Sequence, residues 1–222
     1  MTTTIRNYLE VIKMARNYDK KVLLIDHEDS GDKLAEAFTK AGATVECRPS
    51  NTLMRIIDHD AFEKDLIVLG PGPGRSIYSG YFEEILKEYD TRIPIFGVGA
   101  GFEAILKHFK IDLYRLEGKG KESAVPIHHK KEGIFDNIHQ DTKMVMSGSQ
   151  SVREEDAVSG LEVIATYNGL VMGVTARDHQ QYQISGVQFR PELKESSEGS
   201  KLIKNVLFYV ARFMSGGTGG GF

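Results

Sequence analysis

Hydrophobic and polar positions along the chain change their period several times, and each change marks an element. Ile5, Leu9 and Ile12 recur at helical spacing behind a Thr-rich start that can cap a helix, so a short amphipathic helix is expected over the first sixteen or so residues. In "KKVLLID" the apolar run Val22 to Ile25 is continuous, the pattern of a strand buried on both faces. "DKLAEAFTKAG" returns to helical spacing, with Leu34, Ala37, Phe38 and Ala41 on one face and Gly42 as the stop. Strands are expected at "ATVECR", "DLIVLG" and "IPIFGV", and helices at "SGYFEEILKEY" and "FEAILKHF".

This β-α-β alternation predicts an α/β domain of three layers, a mainly parallel sheet with helices on both faces. From about residue 112 shorter strands follow one another: "SAVPIHH", "KMVMSG", "LEVIATY", "LVMGVTARD" and "YQISGVQF". A last helix, "GSKLIKNVLFYVARFM", closes the domain. The expected division is an N-terminal helical extension over 1–20, one domain over 21–214 and a Gly-rich tail over 215–222, "SGGTGGGF".

Composition narrows the function classes. The 222 residues are 41% hydrophobic and 27% charged, ordinary for a soluble globular domain with a full core. A net charge of -3 gives no broad basic surface for nucleic acid. The single Cys47 leaves no internal disulfide and no Cys-based zinc cluster, and fits a cytoplasmic setting. No apolar run reaches the roughly 18 residues of a membrane span, and the first twenty residues are too polar for a secretory signal.

The chemistry concentrates at "IPIFGVGAGFEAI", Ile93 to Ile105. A buried strand, a Gly-rich turn and a helix form the layout of a nucleophile elbow, yet the elbow position, Gly99, carries no side chain. Five further segments accompany it in order: "LLIDHEDS" and "VLGPGPGR" before it, "GKGKES", "GIFDNI" and "GVQFRPE" after it. Together they resemble the class I glutamine amidotransferases, most of all the glutaminase component of anthranilate synthase and aminodeoxychorismate synthase. "DHEDS" is similar to the versions fused behind a chorismate-binding synthase. The resemblance covers about residues 21 to 214 and implies a flavodoxin-like fold.

What the family does is implied by the resemblance alone. Its members hydrolyse glutamine with a Cys–His–Glu triad and pass ammonia to a synthase. Carried over residue by residue, the cysteine position is Gly99, the histidine position is Arg190, and the glutamate is Glu192. Glycine offers no thiolate to attack the amide carbonyl. Arginine stays protonated and cannot serve as a general base near neutral pH. The N–H groups of Gly72, in the "PGPG" loop, and Ala100 occupy the family's oxyanion-hole position, although such glycines also simply keep tight turns. In the substrate pocket the family glutamine is Glu103, and a tyrosine-histidine-serine segment aligns with Ser149, Gln150 and Ser151. The phenylalanine of the first loop is Gly31.

Arg190 either points to solvent or fills the old pocket and pairs with Glu103 or Glu192, since an unpaired buried charge is costly. Cys47 is expected to be a buried small hydrophobe on the second strand, far from the elbow. The turn Asp26 to Ser30 caps a helix more readily than it holds a metal. His128 and His129 point to opposite faces of a strand. Lys119 and Lys121 read as a solvated loop. No cofactor and no metal are expected.

These residues predict a pseudo-glutamine amidotransferase, not an active enzyme, that serves as a structural or regulatory subunit. Its partner would be a protein, a chorismate-utilising synthase homologue or another assembly. Candidate contacts are Ile5, Leu9 and Ile12, which could equally cover this domain's own core, and Phe222 in the tail. The alternatives are a metabolite-sensing binding protein, using Arg190 for an acidic ligand, and an enzyme with new chemistry in the old pocket.

Overall fold

The computed structural model describes residues 20–26, 32–72, 76–115, 123–146, 150–156, 160–176 and 184–211, with the side chains of 76–80 and 115 left aside. Within them the chain builds one ten-stranded sheet in the order β12-β7-β6-β9-β10-β11-β4-β3-β1-β2. The strands are β1 (Lys20–Asp26), β2 (Ala43–Pro49), β3 (Leu66–Leu69), β4 (Ile95–Val98), β6 (Ser123–His129), β7 (Thr142–Met146), β9 (Leu161–Tyr167), β10 (Leu170–Ala176), β11 (Ile184–Val187) and β12 (Phe189–Arg190). A separate two-stranded sheet pairs β5 (Tyr114–Arg115) with β8 (Gln150–Ser151).

The large sheet has two characters. β2, β1, β3, β4 and β11 run parallel. From β11 outward through β10, β9, β6, β7 and β12 every pairing is antiparallel. The expected α/β, three-layer fold is therefore present, with the late short strands continuing the same sheet so that parallel and antiparallel halves are nearly equal. The central parallel strands β3 and β4 are short, apolar and buried along their whole length, because helices cover both faces.

On one face α1 (Asp32–Lys40) and α5 (Gly199–Tyr209) pack Leu34, Phe38, Leu202 and Val206 against Val22, Val68 and Phe96. On the other, α2 (Met54–Ala61), α3 (Ser76–Tyr89) and α4 (Ala100–His108) pack Ile57, Phe82, Ile85, Phe102 and Ile105 against Leu23, Ile67 and Ile95. Burying a side chain of this size stabilises by about 1.5–3 kcal/mol. Neighbouring residues of β1 thus feed opposite cores, as strand geometry requires.

Helix α2 had no counterpart in the sequence reading, although Met54, Ile57 and Ala61 keep helical spacing. Its N-terminal residue Leu53 makes no side-chain cap. Cys47 is a correction: it is exposed on the edge strand β2, not buried. It lies three strands from β4, and its thiol pKa is raised by partial burial and by the carboxylates of Asp26 and Asp32, so it is no activated thiolate. His128 is exposed and His129 buried, on opposite faces as expected. His129 stacks on Phe135 with ring centroids 4.7 Å apart.

Candidate functional site

In a parallel sheet, ligands are met at the carboxyl ends of the strands, and there the chain turns sharply after β4. Gly99 carries φ 57° and ψ -107°, a conformation L side chains rarely adopt and glycine reaches freely. Its N–H donates to Val187 O at 3.0 Å, tying the turn to the end of β11, and its carbonyl accepts the N–H of Glu103 at 3.0 Å, opening α4. Gly99 is thus the N-terminal cap of α4, with Ala100 as the first helical residue. Gly101 lets the helix approach the sheet: a Cβ there would lie 2.1 Å from Leu69 O. Gly72, three residues past β3, lies at the same edge of the sheet.

Glu103 is turned inward from the first turn of α4 and is buried. Burial pushes its carboxyl pKa up, while a hydrogen bond with the Gln188 side chain and the charge of Lys107 pull the other way. Gln188, fully buried and one residue beyond Val187, is a member of this site that the motif reading passed over. The signal was in "GVQFRPE": on an extended chain, positions 188 and 190 fall on one side.

Arg190 closes the short strand β12, opposite Val145 of β7. Its Nε donates to Glu192 Oε1, and the two side chains are 14% and 0% exposed. Of the two partners expected for Arg190, the structure pairs it with Glu192, while Glu103 bonds Gln188. Ser196 fixes the corner: its Oγ donates to Arg190 O at 2.6 Å and accepts the N–H of Val145 at 3.0 Å.

The hydrogen bonds of Gly99 with Val187 and of Glu103 with Gln188 hold the elbow against the end of β11, and Arg190 and Glu192 follow within four residues of Gln188, where the chain pairs with β7. Gln150 and Ser151 are placed on the small sheet, paired with Arg115 and Tyr114, and the buried Ser151 Oγ donates to Val152 O at 3.5 Å. Ser149, Gly31, His27 to Ser30, Lys119, Lys121, Ile5, Leu9, Ile12 and Phe222 lie outside the described residues, as do the N-terminal extension and the tail. Among the described residues no group of His, Cys, Asp or Glu could hold a metal ion, and no helix is long and apolar enough to cross a membrane.

A parallel sheet with a strand–elbow–helix at its carboxyl edge defines an α/β scaffold with the layout of a nucleophile elbow. The model of the class-I glutamine amidotransferase family matches residues 23–210, and the chain belongs to that family. A multifunctional tryptophan biosynthesis protein of Pichia angusta is 34% identical over 194 residues, covering 85% of this chain; the chain spans only 51% of that protein's length. Aminodeoxychorismate synthase component 2 of Escherichia coli is 30% identical over 188 residues, covering 84% of this chain and 98% of the relative. A glutamine amidotransferase structure from Thermotoga maritima superposes with TM-score 0.64 at 16% identity over 79% of this chain and 77% of the other, a likeness of fold.

Proposed function

We propose that this member of the family does not hydrolyse glutamine and works as a structural or regulatory subunit of a protein complex. One observation carries the reading: the elbow residue is a glycine, and the residue two before the buried Glu192 is an arginine whose charge is already engaged by that glutamate. Covalent attack on an amide needs a nucleophile held on the turn and a base able to take its proton. Gly99 supplies no nucleophilic atom, and Arg190 cannot take a proton near neutral pH. Gly72 and Ala100 are then relics of an oxyanion hole, and Glu103 with Ser149, Gln150 and Ser151 relics of a substrate pocket.

The subunit role is supported by the names of two relatives. One is named a component 2 of a synthase and the other a multifunctional protein, names that fit a domain working beside another. A chorismate-utilising synthase homologue is accordingly the first partner to test, in the cytoplasmic setting that the lone cysteine suggests. The metabolite-sensing reading is weaker, because an acidic ligand would have to compete with Glu192 for Arg190. Co-purification of the untagged neighbours from native cells at low salt tests the role. A stoichiometric protein partner is the expected result; a free monomer throughout contradicts it.

A further inference from the structure

We infer that the His129 imidazole is a pH-sensitive latch: in its neutral form it holds the segment 130–141 closed beside the head of α5, and protonation releases that segment. The ring lies at the end of β6, only 6% exposed, and both of its nitrogens are committed. Nδ1 accepts the N–H of Lys131 at 3.1 Å, so the ring proton sits on Nε2, which donates to His139 O at 3.1 Å. Phe135 lies against its face, the two rings inclined by 16°. One neutral imidazole thus joins the turn after β6, the single 3-10 turn Gly133–Phe135 and the loop that leads into β7.

The segment it joins is one that has to be held. Among the described residues five that are not glycine carry a positive φ, and three of them fall here: Lys131 at 59°, Asn137 at 58° and Asp141 at 58°. L side chains avoid this region, so such residues persist only where the bonds around them fix the backbone. Lys131 is fixed by His129 itself. The middle is fixed by α5: Asn205 Nδ2 donates to Ile134 O at 3.1 Å and to Asp136 O at 2.8 Å, and Lys201 Nζ donates to Asn137 O at 2.9 Å. At the far end His139 O accepts the N–H of Thr142 beside the His129 proton, and the N–H of Asp141 donates to Ile127 O at 3.1 Å.

A proton on Nδ1 undoes the first of these contacts. Nδ1 then carries an N–H that faces the N–H of Lys131, and a cation sits buried against Phe135. Burial is the largest influence and pushes the imidazole pKa below its ordinary 6.5, against the pull of the His139 carbonyl. Lys131 and His128 add to the push, and Glu198 at the head of α5 pulls the other way. That carboxylate is already bonded by His139 and Lys201. Of the remaining acids around the segment, Asp136 is bonded by the Tyr209 hydroxyl, Asp141 lies beside His128, and Glu162 of β9 is held by Lys130. The closed segment therefore binds the proton less readily than the released one. The latch is complete above 6.5 and weakens as pH falls from there toward the lowered value. Release reaches the Arg190 corner, because the segment runs directly into β7, whose Val145 pairs with Arg190 and whose Lys143 O accepts the N–H of Ser197 at 2.9 Å.

Amide hydrogen exchange of the intact chain tests this, read peptide by peptide over about pH 5–8 and divided by the intrinsic exchange rates. Opening of 130–141 should be level above about pH 7.5 and then rise by up to about tenfold per pH unit, the limit for one proton, while β3 and β4 stay protected. His129→Gln, which does not titrate, should remove the rise, and His139→Gln should keep it. An NMR titration of the ring nitrogens in the unaltered chain adds a test that no variant has to fold for: His129 should be the Nε2–H tautomer, with a pKa below 6.5. A pKa at or above 6.5, opening that ignores pH, a rise that survives in His129→Gln, or protection lost equally in β3 and β4 each overturns the inference.

Discussion

The elbow at Gly99 follows β4 and the corner at Arg190 follows β11, yet the two are held in place by opposite means. At the elbow nothing but backbone decides the geometry. Gly99 takes a positive φ, its N–H and carbonyl are bonded to Val187 and Glu103, and Gly101 lets Leu69 O come where a Cβ would be. At the corner side chains do the holding: Ser196 spans Arg190 O and Val145 N–H, and Arg190 is locked to Glu192. The contrast teaches that a scaffold can outlast its chemistry. A backbone-built turn folds equally well with or without a reactive side chain, whereas a side-chain-built corner must replace one satisfied set of partners by another when a residue changes.

The largest effect is expected at the elbow's close approach. Gly101→Val puts a branched side chain into a backbone atom that cannot yield, and the protein should fail to give a cooperative thermal transition. Normal melting of this variant would break the backbone account. At the corner, Glu192→Leu removes the carboxylate that Arg190, only 14% exposed, donates to, and should cost about 3 kcal/mol, or a drop in Tm of about 6–12 °C. Adding Arg190→Met should recover most of that loss, a coupling that a double-mutant cycle by calorimetry would read.

A smaller effect sharpens the same contrast through pH. Glu198, at the start of α5 just beyond the corner, is partly buried, which by itself would raise its pKa. The Lys201 ammonium and the N–H and imidazole of His139 outweigh this and hold it at about 2, against an ordinary value of 4.5. The folded state therefore binds its proton less readily than the unfolded one. Its stabilisation is complete above 4.5 and is lost as pH falls from there toward 2. Glu198→Gln should flatten the Tm profile across that window by roughly a few degrees; an unchanged slope would remove Glu198 from the account. The smallest change in activity is expected for Gly99→Cys, which should cost about 1–2 kcal/mol of stability for a side chain at positive φ and confer no glutamine hydrolysis, since no base stands ready at position 190. Pairing it with Arg190→His asks whether the corner alone withheld the activity.

Much of this was legible beforehand because the elements follow simple periods. The run Val22 to Ile25 became β1, and the turn after "IPIFGV" fell at Gly99 with the positive φ a glycine suggests. The cost of burying a lone charge pointed to a carboxylate partner for Arg190 without choosing between Glu103 and Glu192, and the structure has Glu192. Helix α2 escaped because its three inward residues are interrupted by exposed Ile56 and by charges, blurring the stripe. Cys47 was misjudged because residue type was allowed to stand for position: on an edge strand, half the side chains have nothing to pack against. Gln188 was missed because partners from different elements, here the residue after β11 and the helix α4, are joined by folding and not by spacing.

The central claim is that this family member has no glutaminase chemistry at its elbow. The most direct measurement is ammonia release from glutamine by the unaltered purified chain, with and without its native partner, against a buffer blank over about pH 6–9, where a thiol–imidazole pair would titrate. The account predicts no release above the blank in either case. Turnover that is saturable in glutamine and proportional to protein would contradict it.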